Sequence, residues 1–111
     1  MNDCLFCKII DGEIPSKKVY EDEHIYVFED IAPKAPVHVL VVPRKHIRSL
    51  KEASSEDKEL LAHIQLTIPK IAQQLGLDAG FRTVLNTEKG GGQEVFHIHY
   101  HILGGGPMPF A

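Results

Sequence analysis

Eight residues, Phe96-His97-Ile98-His99-Tyr100-His101-Ile102-Leu103, constrain this chain more than any other stretch. Side chains on a β-strand alternate between its two faces, so an extended run here puts His97, His99 and His101 on one face and Phe96, Ile98, Tyr100 and Ile102 on the other. One face is then built for chemistry and the other for a core. Alternate positions on a strand lie about 7 Å apart, close enough for neighbouring imidazoles to act on one small ligand or to divide between adjoining sites. A lone strand histidine is more often half-buried or solvated than catalytic, but three in five residues rarely serve packing.

Two chemistries fit such a row. Neutral imidazole is the commonest metal ligand; it is also a nucleophile, a proton donor and a phosphate partner near neutral pH. Just upstream, Thr87-Glu88-Lys89-Gly90-Gly91-Gly92-Gln93 is a glycine-rich loop through which backbone amides can approach an anion. It has no Walker lysine pattern and says little alone. Followed by three alternating histidines, it reads as a phosphate cradle.

The run His97-Ile98-His99-Tyr100-His101-Ile102-Leu103 resembles the signature of the histidine triad superfamily, in its bacterial Hint-type branch. The resemblance extends over Phe28-Glu29-Asp30-Ile31, Ala35-Pro36-Val37-His38, Val42-Pro43-Arg44-Lys45-His46, the Asn86 segment and Gly91-Gly92-Gln93, nearly the whole length. It implies an α+β fold: a five-stranded antiparallel sheet with one long and one short helix, paired across a homodimer into a ten-stranded sheet. It further implies a purine nucleoside phosphoramidase or related nucleotide hydrolase. His99 would be the nucleophile, His101 would bond phosphate oxygen and help protonate the leaving group, and His38 would orient His99 through a hydrogen bond. Ile14, Phe28 and Ile31 would form the purine slot, Asp30 would hold the ribose, and Asn86, Gly92, Gln93, His99 and His101 would surround the phosphate. Many eukaryotic relatives have serine where this chain has Glu94, so leaving-group handling is expected to differ. No metal is expected at the phosphate.

Cys4 and Cys7 are the only cysteines, one helical turn apart. In a reducing compartment a structural disulfide is disfavoured, leaving metal ligation or inert burial. The resemblance implies a structural zinc held by Cys4, Cys7, His46 and His97, a closed site that would carry no substrate.

Length fits one domain over residues 1–111, with enough surface for its volume to favour association. The formal charge of -3, from 12 basic and 15 acidic residues, offers no general attraction to nucleic acid. No run approaches the ~18 apolar residues of a membrane span, and the start lacks a signal-peptide pattern. A soluble, cytoplasmic protein is therefore expected, with no membrane partner.

Along the chain, Asp3 is the expected cap and Gly12 the stop of a short helix over Cys4 to Ile10. Strands are expected at Lys18 to Glu21, His24 to Glu29, Val37 to Pro43 and Gly80 to Asn86. Apolar residues Leu60, Leu61, Ile64, Ile68, Ile71, Ala72 and Leu75 repeat at helical spacing, from a cap at Ser54 or Ser55 to Gly76, with Pro69 expected to bend the helix. His63 receives no role. Competing functions are a nucleotide-binding regulatory protein with incidental turnover, a metallohydrolase using all three histidines as ligands, and a nucleotidyltransferase.

Overall fold

The apolar segment Val37–Pro43 forms β3, the middle strand of a five-stranded antiparallel sheet in a computed structural model that describes residues 3–109. Around it lie α1 (Leu5–Ile10), β1 (Lys18–Glu21), β2 (Ile25–Glu29), α2 (Lys58–Gln74), β4 (Arg82–Val84) and β5 (Tyr100–Gly104). The strand order is β1-β2-β3-β5-β4. A strand with neighbours on both sides, packed on one face by the long helix and partly on the other by the short one, is largely dry, which is why β3 reads as nearly continuous apolar sequence.

The alternation of side chains divides the interior in two. Ile25, Val27, Val39, Val41, Tyr100 and Ile102 point to the face covered by Ile64, Ile68, Ile71 and Ala72 of α2. Phe28, Leu40 and Val42 point to the other face, against Phe6 and Ile9 of α1. The six-residue α1 is too short to cover that second face. The uncovered remainder, on the face away from the long helix, is where a ligand can enter.

Local chemistry explains the element ends. Cys4 caps α1, its Sγ accepting from Cys7 N–H at 3.4 Å; the cap expected at Asp3 therefore moves one residue on. Gly12, at φ 82°, takes the left-handed turn that closes this helix. Ser54 and Asp57 exchange side-chain and backbone bonds as a capping box, but on a 3-10 turn over Ser55–Asp57, so α2 proper begins at Lys58. From there it runs unbroken through Pro69. Asp22 shapes the β1–β2 turn by accepting from the N–H groups of His24 and Ile25 at 2.8 and 2.9 Å. The same carboxylate meets His63 Nε2 at 2.8 Å, so His63 pins α2 to the hairpin.

Two strands are shorter than their sequence suggests. β2 starts at Ile25, not His24, and β4 keeps only Arg82–Val84 of the span Gly80 to Asn86. β5 begins at Tyr100, so Phe96 to His99 precedes the ladder; there Ile98 N–H bonds to the Ile47 carbonyl at 2.7 Å. Phe96 is only half-buried and stacks under Arg48, whose Cζ lies 4.3 Å from the ring centre. Among the described residues, no helix is long and apolar enough to cross a membrane.

Candidate active site

A cavity of about 590 Å³ opens on the sheet face that α1 leaves uncovered, a size that suits a ligand of a few hundred daltons. Asp30, His38, Asn86, Gly92, His99 and His101 line its polar side. Ile14, Phe28 and Ile31 belong to its apolar side, Ile31 standing at the rim with 97% of its surface exposed. Eight of the nine residues expected to bind nucleotide thus face one cavity, as does His38. Glu94 lines it too.

Gln93 is the exception. Its side chain is turned inward and only 3% of the residue is exposed. The carboxamide oxygen accepts from Glu88 N–H at 2.7 Å, and the Nε2 group donates to the carbonyls of Arg48 and Val95 at 2.7 and 2.9 Å. Its backbone N–H is engaged by the Glu88 carbonyl at 3.1 Å. With these groups committed, Gln93 braces the loop and does not reach the cavity.

Hydrogen-bond partners fix the tautomer of each histidine in the cavity. His99 Nδ1–H donates to the His97 carbonyl at 2.8 Å, leaving the Nε2 lone pair available. His38 Nδ1 accepts from Lys34 N–H at 3.0 Å, so its proton sits on Nε2 and is donated to His101 Nδ1 at 2.9 Å. Asp30 Oδ2 lies 3.4 Å from the same His38 nitrogen. His101, accepting at Nδ1, must carry its own proton on Nε2. Among the described residues, His101 Nε2 is the one buried side-chain nitrogen or oxygen without a hydrogen-bond partner. The cavity therefore holds a lone pair on one imidazole and an unsatisfied N–H on the next, with ring centres 5.0 Å apart.

Burial keeps these rings uncharged. It pushes the His101 pKa down to about 4, helped by repulsion from His99 and His38. Burial likewise lowers His99 and His38, against the partial compensation of the His97 carbonyl and Asp30 respectively. A neutral His99 keeps its lone pair at physiological pH.

The bond expected from His38 to His99 is made to His101 instead. Strand register is the reason: β3 and β5 pair Leu40 with His101 and His38 with Leu103, so His101 is the diagonal neighbour of His38 on the shared face. His99 lies farther along, and the His97 carbonyl orients it.

The third triad histidine faces elsewhere. His97 Nε2–H donates to the Pro43 carbonyl at 2.7 Å, so its Nδ1 lone pair points to Cys4 Sγ at 3.4 Å, Cys7 Sγ at 3.5 Å and His46 Nδ1 at 3.1 Å. These four donor atoms all lie within 4.8 Å of one another. A tetrahedral zinc with bonds of about 2.0–2.3 Å requires donor separations of roughly 3.3–3.8 Å, so the set fits zinc with small adjustments. Asp30, His38 and His101 are equally close together, but His38 offers its neighbours an N–H and not a lone pair. That second cluster is a hydrogen-bond relay.

Sequence reasoning missed Phe6, which forms part of the cavity wall and packs edge-on against both His99 and His97, with ring centres 4.9 and 6.1 Å away. Its place between Cys4 and Cys7 in a short amphipathic helix was the available signal. Lys34, whose backbone sets the His38 tautomer, and the Arg48–Glu88 pair left no such mark.

Comparison with known proteins places the chain. The HIT domain model matches residues 11–108. Protein HitA of Neisseria gonorrhoeae is 51% identical over 104 residues, which cover 94% of this chain and 97% of that protein. A HIT family hydrolase from Legionella pneumophila Philadelphia 1 superposes with a TM-score of 0.94 at 50% identity, covering 97% of each chain. A histidine triad nucleotide-binding protein from Candida albicans does so with a TM-score of 0.82 at 34% identity, covering 98% of this chain and 85% of that one. With the family model matching most of the chain and relatives this similar over nearly its whole length, this chain belongs to the HIT domain family.

Proposed function

We propose that the protein is a purine nucleoside phosphoramidase or closely related nucleotide hydrolase, working through a nucleotide covalently bound to His99. The observation that carries this reading is the pair of opposite tautomers in one cavity: a free lone pair on His99 and an unsatisfied N–H on His101. A solved relative described as a hydrolase and another described as nucleotide-binding support it.

The base would lie against Phe28, Ile14 and Ile31, and the Asp30 carboxylate would accept from ribose hydroxyls. His99 Nε2 attacks the α-phosphorus; the new N–P bond forms as the P–N bond to the leaving amine breaks, the amine taking its proton from solvent water while His101 Nε2–H donates a hydrogen bond to a phosphoryl oxygen. The modified ring is cationic, and its Nδ1–H, held on the His97 carbonyl, spreads that charge. His38 steadies His101 throughout by donating to Nδ1. Water then attacks phosphorus, its proton passing to bulk solvent, and the N–P bond breaks to release the nucleoside monophosphate with neutral His99 restored. Asn86, on the cavity wall, stabilises charge on the phosphoryl oxygens. Glu94 on the cavity wall favours amine or cationic leaving groups over acidic ones.

Cys4, Cys7, His46 and His97 would hold a zinc ion that ties α1 to the sheet and takes no part in the reaction. Pairing of two copies would run through the β4 edge, an outer strand of the sheet whose far side no other strand occupies among the described residues; sedimentation of a dimer would bear this out, and a monomeric wild type would refute it. The enzymatic test is AMP release from adenosine 5′-phosphoramidate. Turnover is expected at micromolar enzyme; binding of AMP without any turnover would favour a regulatory nucleotide-binding role.

A further inference from the structure

Glu88 is, among the described residues, the single non-glycine residue with positive φ. At φ 62° and ψ 173° it occupies a region that glycine enters freely and side-chain-bearing residues avoid. Three glycines follow within four residues, yet the strained position is not one of them. A glycine there would adopt the conformation easily but would do nothing to hold it.

The side chain shows what does. Arg48 grips the Glu88 carboxylate through Nε at 3.2 Å from each oxygen and through its terminal nitrogen at 3.1 Å, and the hydroxyl of fully buried Ser49 donates to the same group. The backbone is equally committed. Glu88 N–H donates to Gln93, while its carbonyl accepts from Gly91 and Gln93 N–H at 3.0 and 3.1 Å. Gln93 closes the ring by donating to the Arg48 carbonyl. The loop is thus stapled at both ends to the one segment, Arg48-Ser49, and Arg48 is itself braced on Phe96. Asn86 on one side of the staple and Gly92 within it line the cavity, and a Cβ on Gly92 would sit 3.9 Å from Asn86 Cγ.

We infer that Glu88 is a positioning residue: its carboxylate, locked by Arg48 and Ser49, holds a glycine-like backbone turn and so fixes the Asn86–Gly92 loop against the cavity. A loop with three consecutive glycines would otherwise sample many shapes. Held in one, with its Gly91, Gly92 and Gln93 amides committed inside the loop, it keeps Asn86 placed beside a phosphoryl group without rearranging during the reaction, which is where preorganised donors are worth most. The catalytic consequence rests on the phosphoramidase reading; the clamp itself does not.

The experiment compares wild type with Glu88→Gln, Glu88→Gly and Arg48→Lys in two ways. Amide hydrogen exchange without ligand reads the clamp. The Gly91, Gly92 and Gln93 amides are expected to exchange at least about tenfold faster in all three variants. Steady-state kinetics with adenosine 5′-phosphoramidate reads the consequence. There kcat is expected to fall about 10- to 100-fold with KM changed less than roughly threefold, and Glu88→Gln with Arg48→Lys together should be little worse than either alone. Glu88→Gly relaxes the backbone, so its folded state is expected to survive; a fall in kcat there separates positioning from mere stability. Unchanged exchange in the variants overturns the inference. So does faster exchange with wild-type kcat. A wild-type protein that does not turn over the phosphoramidate overturns the functional reading instead, and exchange then decides the clamp alone.

Discussion

His97 and His99 are two residues apart in the same segment, and they are wired in opposite senses. His97 gives its Nε2 proton to a carbonyl and turns the Nδ1 lone pair toward two thiols and a second imidazole. His99 gives its Nδ1 proton to a carbonyl and keeps the Nε2 lone pair for the cavity. Neither choice is made by the imidazole. Each is made by the carbonyl that claims one nitrogen, so the backbone decides which neighbouring histidine offers its lone pair to the cysteine cluster and which offers it to the cavity.

The sharpest way to break that contrast is to truncate each ring in turn. His99→Ala is expected to cut turnover of adenosine 5′-phosphoramidate roughly 10⁴-fold or more, while circular dichroism and AMP binding stay close to wild type. His97→Ala keeps the carbonyl that orients His99, so kcat should remain within about tenfold while metal and stability are lost. Equal losses in both variants would erase the distinction. Next in size, His101→Ala removes the N–H donor and should lower kcat about 10²- to 10⁴-fold. His38→Ala acts through His101, so its effect should be smaller and should largely vanish in the double variant.

On the metal side, purified protein is expected to carry about one zinc per chain, and Cys7→Ser to carry far less, as measured by mass spectrometry of the metal. Wild-type protein refolded with zinc but still metal-free would remove the proposed ion. The smallest effect is on pH. Burial holds the folded His101 pKa at about 4 against an ordinary value of 6.5, so the unfolded chain binds more protons between those values. Stability is fully present above pH 6.5 and declines as pH falls toward 4. His101→Asn should flatten that acid limb in denaturant titrations, and an unchanged slope would contradict it.

What could be read from sequence followed the strength of the local signal. Alternation put Tyr100 and Ile102 in the core and the three histidines opposite, because one buried face specifies register. The same pattern overran the strand: Phe96 is covered by Arg48, not by the core, since β5 pairs only from Tyr100. The family pattern brought Asp30, Asn86 and Gly92 to one cavity but misassigned two partners. His38 meets His101 through strand register, and Gln93 is consumed by the loop it stands in. Both errors turn in part on bonds to distant segments, His38 to His101 across 63 positions and Gln93 to Arg48 across 45, which composition and spacing do not encode. The Asp22–His63 bond, joining residues 41 positions apart, was invisible for the same cause.

The central claim is that His99, and neither of its flanking histidines, becomes bonded to phosphorus. Rapid quenching of the enzyme with adenosine 5′-phosphoramidate, followed by peptide mass spectrometry under conditions that preserve phosphorus–nitrogen bonds, tests it directly. The account predicts an adenylyl group on His99 that forms and decays with turnover and is missing from His99→Ala. An adenylyl group carried by His97 or His101, or AMP released with no modified histidine at any time, would contradict it.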